Sequence, residues 1–372
     1  MAIGTRGLKF EKGVLVFYGG DEEDIVIPEG VTAIGDGAFA VWPGNNIKSI
    51  VIPSSVKSIG VRAFNLCEKL VSVTIPGSVE SIGEYAFNMC KGLESVTIEN
   101  GVKHIGKCAF WDCKKLENVT IPGSIETIGD LSFGGCEKLK SVTIEDGVKT
   151  IGQCAFGFNK NIETVTIGHG VKTIGESAFK QCEKLKSVEI PGSVDTVGAN
   201  AFSNCTAIEN VTIEKGVKTI GEYAFNQCAN LETLTLGKGI KRIEKYAFWQ
   251  CKKLKSVTIP GSVETIGDLA FSGCEKLASV TLDAGVKNIG SYAFNECVEI
   301  GSIAIPGSVE SVGDHAFLNC IGLESATFAE GIKSIGKYAF ANCGNLISVT
   351  IPQSVETLED YAFASTTLVQ KA

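Results

Sequence analysis

Phenylalanine recurs along this chain at a fixed interval. After Phe39 and Phe64 it returns at Phe87, Phe110, Phe133 and onward to Phe363, fifteen positions in all, and every step from Phe64 is 23 residues. One copy holds too few apolar side chains for a core of its own, so copies must stack and bury columns of side chains between them. Residues 70 to 93 read LVSVTIPGSVESIGEYAFNMCKGL, and the other copies keep L..V.I...V..IG..AF..C. Leu70, Val73 and Ile75 partly alternate with Ser and Thr, the pattern of a short strand with one buried face, one strand per copy. The Pro-Gly or Glu-Xaa-Gly segment then turns the chain, and Val79 and Ile82 point back inward. Gly83 breaks the backbone direction, and Ala86-Phe87 begins a short helical or 3-10 turn closed by Cys90. The expected fold is a repeat solenoid, α/β or mainly β: a right-handed arc with a parallel sheet on its concave face and the turns opposite.

The repeat organises the whole chain. Residues 25–363 form the solenoid of about 15 repeats. Ahead of them, in residues 1–24, LKF and VLVFY flank Glu11, Lys12 and Gly13, a hairpin that would cover the first apolar rung. In residues 364–372 the cysteine after Phe363 is lost and Val369 falls where the next strand's leucine would stand, an end read as truncated or self-associating. The step from Phe39 to Phe64 is 25 residues, and the extra ones fall in AVWPGNN, a loop that should bulge and expose Trp42. A longer similarity, residues 110–139 against 248–277, reads as a block duplication and explains why Trp111 and Trp249 occupy equivalent positions.

Composition removes several function classes. The net charge is −8 and no window is rich in Lys and Arg, so the footprint for nucleic acid or an anionic membrane is missing. No run approaches the ~20 apolar residues of a membrane span, and the opening residues hold no signal-like apolar segment. Twelve of the fourteen cysteines sit three residues after the phenylalanine, a packing column; rungs ~4.8 Å apart could be spanned by disulfides, and buried free thiols are the favoured reading. Asn159 takes the cysteine's place in that column, while Cys108 and Cys154 stand where other copies carry Tyr and are the expected exposed thiols. No CxxC and no Cys/His cluster has zinc spacing. His104, His169 and His315 occupy three different positions of the repeat, and His104 with Cys108 lacks a third partner. We therefore expect no catalytic residue, metal or cofactor.

Three surface patterns remain. From Lys57 and Glu80 to Glu356 one column alternates in sign at eleven of thirteen steps, a ladder that fixes register. Two further columns leave the exposed side of the strands. One runs from Ser49 to Ser348 with only Ser, Asn and Thr; the other is Thr in eleven of fourteen strands, broken at Val51, Glu189 and Ala304. Small hydroxyl and β-branched residues also simply suit an exposed strand. The expected contact patch is where the strip breaks its own rule, at Glu189 with Thr164, Thr166, Ser187, Asn210 and Thr212. Trp111, Phe158, Trp249 and Leu318 are flank aromatics and aliphatics, of which Trp111 and Trp249 join the expected partner-binding set.

The 23-residue motif with its IPxSV turn, IGxxAF and following Cys resembles the BspA-type leucine-rich repeat of surface proteins of bacteria and parasitic protists, over residues 25 to 363. GVLVFYGGDEEDIVIPEGVTAIGDGAF is similar to the usual entry into such arrays. The resemblance implies a horseshoe-like solenoid, a cell-surface or secreted location, and adhesion or binding to a protein, a host extracellular protein being the implied case; it implies no catalytic residues. An intracellular scaffold is the second reading, supported by the missing signal and the unbridged cysteines. Ice or ordered-water binding is a third, opposed by a curved sheet and by the single true Thr column. End-to-end self-association at the C-terminal end is also expected.

Overall fold

The computed structural model describes residues 7–40, 45–367 and 370–371, so Trp42 and Val369 lie outside the described residues. The chain divides into two compact units, Met1–Leu185 and Lys186–Ala372. Each unit is a stack of parallel strands, one rung per repeat.

The first unit opens with β1 (Leu8–Glu11) and β2 (Val14–Tyr18), an antiparallel pair with an irregularity between Lys9 and Phe10. Its turn holds Lys12 at φ 48° and Gly13 at φ 81°, the left-handed conformation that a tight reversal needs. β2 then pairs parallel with Ala33–Ile34, which joins the hairpin to the first rung. Tyr18 is fully buried, its ring 5.4 Å from that of Phe39, and its N–H donates to the Ala38 carbonyl at 2.7 Å.

Each repeat contributes two strands, where the sequence pattern suggested one. The first, such as Ser72–Ile75, alternates exposed and buried residues as a half-buried strand should. The second is only two residues, Ser81–Ile82 in the same repeat, and it pairs in register with Ser58–Ile59 before it and His104–Ile105 after it. Gly83 follows it because the preceding rung passes so close: a Cβ there would sit 2.5–2.7 Å from the backbone of Gly60 and Val61. The glycine is required by close approach, not by an unusual φ.

The expected helical or 3-10 turns are absent among the described residues. From Phe64 onward the segment around each recurring phenylalanine instead places one left-handed residue two before it and one two after it. Around Phe87 these are Tyr85 at φ 56° and Met89 at φ 57°. Such a residue costs roughly 1–2 kcal/mol, and the hydrogen bonding shows what offsets it. The N–H groups of Ala86, Asn88 and Cys90 donate within the rung to Gly83, Tyr85 and Phe87 at 3.1–3.2 Å. Those of Tyr85, Phe87 and Met89 donate at 2.7–2.9 Å to the carbonyls of Lys107, Ala109 and Trp111 in the next rung. A helix would spend all of these groups locally; the alternating backbone turns every second N–H toward the neighbouring copy.

The core lies between the strands and these turns. Phenylalanine rings stack along each unit, 4.8 Å apart for Phe64 and Phe87 and 5.1 Å for Phe294 and Phe317. All fourteen cysteines are free. Cys90 shows the pattern of its column: fully buried, its thiol donates at 3.2 Å to the carbonyl of Phe64 in the preceding rung. Asn159 reproduces that bond with an amide, Nδ2 donating to Phe133 at 2.8 Å and to Phe156 at 2.9 Å. Cys108 differs from expectation: it is only 5% exposed, its thiol pushed up by burial, whereas Cys154 is half-buried.

Candidate interaction surfaces

Two faces of each rung reach solvent in ordered rows. On the four-residue strands the Ser/Asn/Thr column and the Thr column are the exposed members of the alternation, with valine and isoleucine buried between them. In the first unit Thr164 pairs with Ser141 and Thr166 with Thr143. In the second, Ser187 faces Asn210 and Glu189 faces Thr212, so the carboxylate stands in the Thr column beside a hydroxyl. The strip is thus present within each unit, and the six strand residues expected at a contact patch all lie on it.

The short second strands add a row the sequence reading missed. Thr127, Thr150 and Thr173 stand in register in the first unit, and Thr196 and Thr219 in the second. A two-residue strand offers no alternation to detect, so only the recurring hydroxyl before Ile and Gly could have revealed it. His104 belongs to this row, exposed between Ser81 and Thr127, whereas Cys108 is buried in the turn.

The charge ladder sits mainly elsewhere than expected. In the column running from Lys57 to Glu356, ion pairs join Lys218 to Asp195 at 2.6 Å and Lys241 to Glu264 at 3.4 Å. A denser series lies in the loop between each phenylalanine and the following strand. It includes Lys91–Glu68 and Lys114–Glu137 at 2.7 Å in the first unit, and Lys252–Glu275 at 2.8 Å and Lys255–Glu232 at 2.6 Å in the second. The Lys255 ammonium, through its hydrogen bond, holds the Glu232 carboxyl below its ordinary range. These pairs are exposed, so each contributes little to stability.

The two tryptophans expected at the interface lie in the turns, away from the hydroxyl strip. Trp111 is half-buried and lays its indole over Gly134, in the space a side chain there would need. Trp249, also half-buried, meets Tyr246 edge to face at 6.2 Å. His315 stacks between Tyr292 at 4.4 Å and Tyr338 at 5.2 Å. Among the described residues no group of three His, Cys, Asp or Glu side chains could hold a metal ion, and no helix is long and apolar enough to cross a membrane.

Solved structures offer counterparts to this chain. A leucine-rich repeat protein from Bacteroides ovatus is 27% identical, with a TM-score of 0.61 over 98% of this chain and 97% of that one. A leucine-rich cell surface protein from Faecalibacterium prausnitzii is 27% identical with a TM-score of 0.48, covering 94% of each chain. A leucine-rich repeat protein from Eubacterium ventriosum is 24% identical with a TM-score of 0.48, covering 94% of this chain and 92% of that one. No curated protein matches the chain in sequence. The model of the BspA type leucine-rich repeat region matches residues 13–140, 126–255 and 241–370, and the chain belongs to that family.

Proposed function

We propose that this chain is a non-enzymatic protein-binding module that offers the strand side of its repeats to a protein partner. The observation that carries the reading is the exposed hydroxyl strip. In both units every second strand residue faces solvent, nearly all of them are uncharged, and the core is complete without them. A surface free of structural duty can vary to suit a partner, and a neutral one binds without desolvating charge. The proposed contacts are Thr164 and Thr166 on the first unit and Ser187, Glu189, Asn210 and Thr212 on the second, with Trp111 and Trp249 as flank contacts of their own units. Membership of the BspA-type family favours an extracellular, adhesion-type partner.

The test is capture of partners by the intact chain beside a variant carrying Thr166→Lys, Glu189→Lys and Thr212→Lys, with folding of both checked by circular dichroism. The reading expects a partner held by the first and lost by the second. Equal capture by both moves the site off the strands.

A further inference from the structure

The duplicated block contains one notch that is open in one copy and filled in the other. Residues 110–139 and 248–277 differ at six of 30 positions. Both keep a left-handed glycine two residues after a phenylalanine, Gly135 at φ 71° and Gly273 at φ 73°. In the second unit Gln250, from the preceding rung, lays its amide in the space that a Cβ on Gly273 would take. In the first unit the equivalent residue is the shorter Asp112. Its Oδ1 comes only to 3.7 Å from the corresponding point over Gly135. What remains is a cleft of about 430 Å³, floored by Gly135 and walled by Asp112, Glu137, Phe158, Lys160 and Asn161.

The chemistry of its walls selects the ligand. Phe158, from the following rung, is held at φ 66° with 40% of its surface exposed, where the second copy has Glu296. The left-handed backbone is that of the repeat, offset by the Phe158 N–H donating to the Lys180 carbonyl at 2.8 Å; what sets this copy apart is the exposed aromatic ring it carries there. Most of the wall charges are already engaged. Glu137 pairs with Lys114 at 2.7 Å, Lys114 lies 3.9 Å from Asp112, and Lys160 pairs with Glu183 at 2.9 Å. Asn161 donates to the Glu137 carbonyl at 2.6 Å, which leaves its side-chain oxygen as an acceptor. The cleft therefore presents an aromatic face and hydrogen-bond acceptors, with Asp112 and Glu137 sharing the one Lys114 ammonium, a combination for an uncharged ligand that is apolar on one face and carries hydroxyl donors at its edge.

The geometry points to a site for one pyranose ring of a neutral saccharide, its C–H face on Phe158 and its hydroxyls donating to Asp112 and Asn161. The site is separate from the strand strip, so it stands or falls independently of the protein partner.

The experiment is saturation-transfer difference NMR on the intact chain with the methyl pyranosides of glucose, galactose, mannose and N-acetylglucosamine, each at millimolar concentration. Asp112→Gln reproduces the filled arrangement that the fold already accepts at Gln250, and Phe158→Glu reproduces Glu296; circular dichroism confirms both are folded. We expect transfer to the ring C–H protons of at least one sugar, reduced at least tenfold in each variant. Absence of transfer from all four, or transfer that persists in Asp112→Gln, overturns the assignment.

Discussion

On the strand side of a rung, such as Ser72–Ile75, two side chains face solvent and two face the core. On the turn side of the same rung Ala86, Phe87 and Cys90 are wholly buried, and three N–H groups reach across to the next copy. The strand side therefore carries surface that the fold does not need, while the turn side carries packing and register that it does. That contrast explains how a repeat can keep its Phe and Cys columns nearly invariant along the chain and still present a face suited to a partner.

The largest expected effect lies on the turn side. Phe225→Ala should destabilise the protein by about 3–5 kcal/mol through lost burial and the cavity left in the ring stack, whereas Thr258→Ala on the strand side should stay within about 0.5 kcal/mol. Equilibrium denaturant unfolding of the two variants measures the difference, and comparable losses would break the contrast.

Glycine sharpens it by a change of sign. Gln227 sits at φ 57° in the turn. Gln227→Gly relieves roughly 1–2 kcal/mol of left-handed strain against roughly 0.4–1 kcal/mol of added freedom in the unfolded chain. Stability should hold or rise by up to about 1.6 kcal/mol. Thr258→Gly should lower it by about 0.5–1 kcal/mol or more.

The cysteines separate the faces kinetically. With the column thiols fully buried, and those of Cys228 and Cys251 pushed up by that burial, the native protein should leave the column unreacted with a thiol-titrating disulfide reagent, Cys154 reacting alone. All fourteen should appear after denaturation. Rapid native reaction of more than one or two thiols would contradict the packing.

The smallest effect belongs to the loop ladder. Lys255→Ala, which removes the pair to Glu232, should lower stability only slightly, and less in high salt. Because the Glu232 carboxyl is depressed by that pair, its contribution is present above the ordinary carboxylate range and lost as pH falls through the lowered value. A pH series of unfolding midpoints for the two proteins should converge in acid.

Much of this architecture was legible in the sequence because it rests on period. The 23-residue spacing, the Phe and Cys columns and the alternation of Val73 and Ile75 with Ser72 and Thr74 require stacking whatever the local details. The turns were not legible. Tyr85, Met89 and Gln250 are residue types that rarely adopt a left-handed backbone, and only the neighbouring rung's carbonyls make it worthwhile. The two-residue strands were too short to show a pattern. The proposed strand contacts could be named from the one acidic break at Glu189, but the cleft over Gly135 could not. It depends on Asp112 being shorter than Gln250 by one methylene, a difference that acquires meaning only when the rungs are stacked.

The central claim is that the turn side is a hydrogen-bonded ladder and not a set of loose surface turns. Amide hydrogen exchange of the native chain, resolved by peptide, tests it most directly. The account predicts that Phe87, Phe110, Phe225 and Phe248, with the left-handed residues beside them, exchange as slowly as the four-residue strands. Exchange of those amides at the rate of exposed turns, with only the strands protected, would contradict it.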